Sequence, residues 1–201
     1  MKNIFYFGEK IKGYSVRVLN EREARAGAGI LFFFAVFAFA NAWFVGNFNY
    51  IKIFVTAFLI DFTIRVFVNP KFAPSLIIGR FFVSNQDLEW VGAPQKRFAW
   101  SIGFGLSLLM FFLLVIFDVR GLINLAICFF CLILLFFETS FGICIGCKVY
   151  NIIFPGMAKH CPGGVCSIKR KENVQKISTY QIMIVILFLV SIISFAYFYI
   201  L

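Results

Sequence analysis

The chain has 201 residues, 62% of them hydrophobic and 14% charged, with a formal net charge of +10. Soluble domains carry about 25% charged residues, and the uninterrupted apolar runs of spanning length here exclude that class in favour of an integral membrane protein. The basic residues lie beside those runs, so they read as membrane topology and not as a nucleic-acid footprint.

Residues 1–27 form a basic head with Lys2, Lys10, Lys12, Arg17, Arg22 and Arg25. Asn20 followed three residues later by Glu23 matches a capping box, which predicts a helix starting near Glu21 and running into the membrane. The first span is expected over Ala28–Val45 and the second over Ile51–Val68, the latter carrying Asp61 and Arg65 on one helix face. Pro70 and Pro74 stop it. The apolar Leu76–Val83 stretch is too short to span and predicts an interfacial or re-entrant helix. The third span, Phe98–Phe117, has no charge, and Asp118-Val-Arg120-Gly121 makes a turn into the fourth, Leu122–Ile145, with Cys128, Cys131 and Glu138. A basic cysteine-containing loop over 148–178 leads to a charge-free fifth span within 179–201.

Lys and Arg assign the sides. The head, the 70–97 loop (Lys71, Arg80, Lys96, Arg97) and the 148–178 loop hold nearly all of them, against Lys52 and Arg120 opposite. Positive-inside bias therefore places the N-terminus in the cytoplasm and the C-terminus outside, as five spans require.

Four cysteines gather at the end of the fourth span, as Cys144-x-x-Cys147 and Cys161-x4-Cys166, with the only histidine, His160, beside them. Two chemistries fit. A pair of thiols can cycle between dithiol and disulfide and pass it to the second pair. Alternatively, four thiolates close a tetrahedral zinc or soft-metal shell, with His160 as a substitute ligand, in a transport protein or a structural zinc knot. Cys128 and Cys131, within a span, read as small buried hydrophobes. Cys144 is expected at a helix C-terminus, where negative charge is disfavoured. Cys147, next to Lys148, is then the expected attacking thiol and Cys144 the resolving one. Charges inside spans pair or mark a pathway. Asp61, Arg65 and Glu138 lie at matching depths, so one network is expected, with Arg65 bridging both acids. Gly103 and Gly105 are expected to admit a neighbouring helix.

Val18-Leu-Asn20-Glu21-Arg22, Pro70-Lys-Phe-Ala-Pro74, Val91-Gly-Ala-Pro94 and above all Phe141-Gly-Ile-Cys144-Ile-Gly-Cys147-Lys-Val-Tyr150 resemble the bacterial membrane family termed domain of unknown function 4395, over about residues 15–152. The resemblance implies a four-helix membrane domain, here 28–147, in the bacterial inner membrane. It also implies Cys144 and Cys147 as the working pair, and association with a thioredoxin-like or sulfur-transfer protein of the cytoplasm. The sequence thus predicts an all-α bundle of five transmembrane helices in the lipid bilayer, with thiol chemistry on its cytoplasmic face and zinc as the alternative.

Overall fold

The computed structural model describes residues 7–12 and 14–154, together with Thr179, Met183, Ile186, Val190 and Ser194. The chain divides into two compact units, Met1–Cys166 and Ser167–Leu201. In the second unit the five described residues are helical and exposed. The expected fifth span and the Cys161–Cys166 loop otherwise lie outside the described residues.

In the first unit a short strand β1 (Val18–Asn20) leads directly into helix α1 (Glu21–Ala40). Asn20 caps it as expected: its carbonyl oxygen accepts the Arg22 amide hydrogen and its amide donates to Glu23 Oε1 at 3.2 Å. Glu21 and Glu23 in the first turn complement the positive end of the helix dipole. A π-helical turn (Asn41–Val45) finishes α1. Helix α2 (Asn49–Thr63) likewise ends in a π turn (Ile64–Val68). A short apolar helix stands where one was expected: α3 (Pro74–Val83), begun by Pro74, whose missing amide hydrogen costs nothing at a first turn.

Strand β2 (Trp90–Gly92) returns antiparallel to β1, Leu19 facing Val91, a pairing that neither three-residue segment announces in sequence. Helix α4 (Ala93–Met110, with a π turn over Phe111–Ile116) follows at once, and α5 (Leu122–Phe141) after the Asp118 turn. Asp118 has φ 49 and is held by Lys52 and Arg120, whose hydrogen bonds keep its carboxyl below its ordinary range. Helix α6 (Ile145–Ile153) ends the described part of this unit.

Among the described residues three helices are long and apolar enough to cross a membrane: Glu21–Val45, Ala93–Ile116 and Leu122–Phe141. Helix α2 with its π turn is apolar too but carries Lys52, Asp61 and Arg65. The protein is a helical membrane protein. Its outward side chains agree: Phe33, Phe34, Phe44, Phe81 and Leu122 stand exposed, a surface that suits lipid and not water.

The core lies between α1, α2, α4 and α5. Helix α1 turns a face of small residues inward, Ala24, Gly27, Ala28 and Ala35, which lets backbones approach closely where lipid offers no hydrophobic drive. Gly27 meets Gly79 of α3, and a Cβ on Gly79 would lie 2.9 Å from the Gly27 nitrogen. Gly103 admits the Phe62 ring of α2 in the same way, whereas Gly105 faces open space. Phe58, Phe62, Trp100 and Leu135 fill the centre.

Candidate functional site

Two polar clusters are buried where α1 and α4 begin and α5 ends. In the first, Arg65 near the end of α2 donates from Nε to Asp61 Oδ2 at 2.7 Å and from Nη2 to Ser75 Oγ at 2.5 Å. The Ser75 amide donates to Asp61 Oδ1 at 2.9 Å, and its hydroxyl lies 2.7 Å from both carboxylate oxygens. The guanidinium also rests 4.7 Å above the Phe62 ring and 5.1 Å from Trp100. One cation meets one anion, and Arg65 is 2% exposed.

In the second cluster Lys96, 0% exposed, stands in the first turns of α4. Its Nζ donates to Glu21 Oε1 at 3.0 Å and to Glu138 Oε1 at 2.8 Å. Glu21 is as buried as the lysine, and Arg25 approaches it at 3.5 Å while also reaching Glu89. Two carboxylates thus share one enclosed ammonium.

The single network expected around Arg65 is therefore two. Glu138 stays within electrostatic reach of Arg65, but its hydrogen bond comes from Lys96. The reason is where α4 starts. It begins at Ala93 and not at Phe98, so Lys96 belongs to the helix and points into the bundle instead of marking a loop. Ser75, carried in by α3, fills the place at Asp61 and Arg65 that Glu138 was expected to take. Lys96, Glu21 and Ser75 escaped the sequence reading. Pro94 at the first turn of α4 was the available signal for Lys96.

The cysteine pair lies against this second cluster. Helix α5 ends at Phe141 on a left-handed Gly142 (φ 64), the αL cap for which glycine is suited. A Cβ there would also lie 2.5 Å from the Arg25 guanidinium carbon. The fourth span therefore stops short of the expected Ile145, and Cys144 begins a helix instead of ending one. Its sulfur is the N-cap of α6, accepting the Cys147 amide hydrogen at 3.3 Å. Helix α6 is pinned to α4 by Gly146 against Ala99, by Gln95 Nε2 donating to Asn151 at 3.2 Å, and by the Phe98–Tyr150 ring contact. This packing brings Cys144 and Cys147 within electrostatic reach of Lys96.

Cys147, expected to be the more acidic thiol, is 3% exposed, and a hydrogen bond to Cys144, with burial behind it, pushes its thiol well above the ordinary range. Cys144 is partly exposed at the start of α6. Cys128, Cys131, Cys144 and Cys147 are all free thiols. Among the described residues no three His, Cys, Asp or Glu side chains converge as metal ligands. Cys161, Cys166 and His160 lie outside the described residues.

Glu138 and Cys144 share the wall of a cavity of about 130 Å³ between α2, α4, α5 and α6, which Cys131 also lines. Residues 19–154 match the family described as a domain of unknown function, number 4395, and the chain belongs to that family. No curated protein and no solved structure matches the chain.

Proposed function

We propose that this family member is a thiol-based membrane protein that handles disulfide equivalents or persulfide sulfur through Cys144, with Cys147 as the resolving thiol. The observation that carries the reading is the Cys144 sulfur. It caps α6 and receives the Cys147 amide hydrogen, beside a buried Lys96–Glu138 pair. That amide stabilises a thiolate, and the thiolate is the form that attacks disulfides.

In the proposed sequence the Cys144 proton leaves to Glu138, the carboxylate that shares its cavity. The Cys144 thiolate attacks a disulfide sulfur of the donor, forming a mixed disulfide and expelling the donor's other thiolate. Cys147 then attacks the Cys144 sulfur, releases the remaining donor thiolate and closes a Cys144–Cys147 disulfide. With a persulfide donor the outer sulfur passes to Cys144 and the donor leaves as a thiolate. Basic residues of the head, Lys71, Arg80 and Arg97 between the second and third apolar runs, and those of residues 148–178 support a cytoplasmic position for this end of the bundle, in the inner membrane of a bacterium. A cytoplasmic thioredoxin-like or sulfur-transfer protein is the fitting partner, and Cys161 and Cys166 are the fitting next acceptors in the chain.

The test is Cys147→Ser, which should trap mixed disulfides through Cys144, while Cys144→Ser traps none. Trapping through Cys147 alone would restore the opposite order. If the thiols alkylate only after chelation, and each Cys→Ser change releases the same metal, the seam binds zinc or another soft ion and the thiol reading is wrong.

A further inference from the structure

The cavity beside Cys144 reaches away from the polar cluster into the apolar interior. At one end it is bounded by Glu138 and Cys144, and its walls include Phe58, Phe62, Trp100 and Phe130. Phe58 and Phe62 stack at 4.2 Å, so the cavity has a flat aromatic side. Phe130 is 49% exposed on the outer surface of α5, which places this wall against the lipid. The size is informative. An apolar protein cavity of about 150 Å³ accommodates benzene, and this one, at about 130 Å³, has room for a single six-membered ring. The larger groove between α1, α2 and α3, about 720 Å³, has no thiol in its wall.

A ligand here would be flat, apolar and lipid-soluble, with a polar group turned toward a carboxylate, a nearby ammonium and a thiol. We propose that the cavity binds the ring of a membrane-dissolved quinone, which takes electrons from the Cys144–Cys147 dithiol. This rests on the thiol reading above and names its electron acceptor. The step balances. Two S–H bonds break and one S–S bond forms between Cys144 and Cys147. Two electrons pass to the ring, and two protons convert its carbonyls to hydroxyls. Glu138, bonded to Lys96, is placed to relay a proton between the thiol and the ring oxygen. The quinol then returns to the bilayer, and the disulfide oxidises a thiol partner in the cytoplasm.

The experiment uses the full chain in lipid nanodiscs without oxygen, prereduced, with duroquinone, a fully substituted single-ring quinone, as the acceptor. One equivalent should be reduced per protein, with a Cys144–Cys147 disulfide found by mass spectrometry, and neither Cys144→Ser nor Cys147→Ser should support it. Leu134 lines the cavity, and Leu134→Phe, which narrows it, should slow quinone reduction by about tenfold, as overpacking a fitted site does. Its exchange with a small soluble disulfide should be unchanged. Ala57→Phe, in the wall of the larger groove, should alter neither. Binding is read apart from chemistry in Cys144→Ser carrying Trp43→Phe and Trp90→Phe, where duroquinone should quench Trp100 fluorescence saturably. If Cys144 exchanges with disulfides while duroquinone is neither reduced nor saturably bound, the inference falls and the thiol reading stands. Quinone reduction unaffected by Leu134→Phe would also overturn this site. Loss of every thiol exchange in the unmodified chain would remove both.

Discussion

Asp61–Arg65–Ser75 and Glu21–Lys96–Glu138 are buried at the same end of one bundle, yet they are built on opposite plans. The first is closed. One cation faces one anion, a serine satisfies both, and the guanidinium is roofed by aromatic rings. Nothing in it is left to bind. The second is open: two acids compete for one ammonium, two thiols adjoin it, and one acid lines a cavity. Buried charge that is fully paired fixes how helices sit together. Buried charge that adjoins thiols and a cavity instead fits the proton transfer proposed above.

The largest effect should come from Lys96→Met, which strands Glu138 and leaves Glu21 only the longer 3.5 Å contact to Arg25. Breaking a buried pair costs about 3–5 kcal/mol, and a change that breaks two such contacts at once should reach at least that, read as loss of folded protein in detergent. The triple variant Glu21→Gln, Lys96→Met, Glu138→Gln should restore folding but not thiol exchange, because it removes the proton acceptor with the charge. Recovery of full exchange in that variant would mean that the second cluster is as structural as the first.

Arg65→Leu comes next, with a loss of about 3–5 kcal/mol from one stranded acid. Here replacing the whole group, Asp61→Leu with Arg65→Leu and Ser75→Ala, should recover most of the stability and leave thiol exchange at the parent rate. A slowed exchange in the recovered variant would erase the distinction between the clusters. A smaller effect is expected of Asn20→Ala, which removes the cap of α1 and should cost about 1 kcal/mol. Because Glu21 follows that cap directly, exchange at Cys144 should also weaken, whereas Asn47→Ala, in the turn far along the chain, should leave it alone.

The smallest effect on stability is a titration. The raised Cys147 thiol keeps its proton at neutral pH, so it should alkylate with iodoacetamide only well above the range of an ordinary cysteine. Removing its partner with Cys144→Ala should bring that onset down. The linked stability is fully present below the ordinary thiol pKa and is lost as pH rises toward the folded-state value. Alkylation of Cys147 ahead of Cys144 at neutral pH would contradict the burial and hydrogen bond that separate them.

What could be seen in the sequence was mostly local. Asn20 and Glu23 announce the start of α1 because capping involves neighbours in the chain. The third helix is visible over Leu76–Val83 as an apolar stretch too short to span, although its start at Pro74 is not. The apolar runs of the three spanning helices carry their own evidence. The differences share one cause: glycine and proline punctuate helices here where the apolar pattern alone does not show it. Taking Pro94 as loop shifts α4 by about a turn and makes Lys96 a topology marker and not the core residue it is. Taking Gly142 as helix interior overlooks that glycine just after an apolar run is a usual stop signal, and it puts Cys144 at the wrong end of a helix. The β1–β2 pair had no local signal at all, since three residues are too few to show alternation and the partners are far apart in sequence.

Gly142 also ties together two regions that evolution would otherwise treat as separate. Any side chain at that position meets both a left-handed backbone and the Arg25 guanidinium. Relaxing the turn alone would still leave the arginine in the way. Homologues that keep arginine at position 25 should therefore keep glycine at 142, and a lineage that loses one is released to lose the other. Covariation of these two positions, 117 residues apart in the chain, is a signature that divergent sequences should carry.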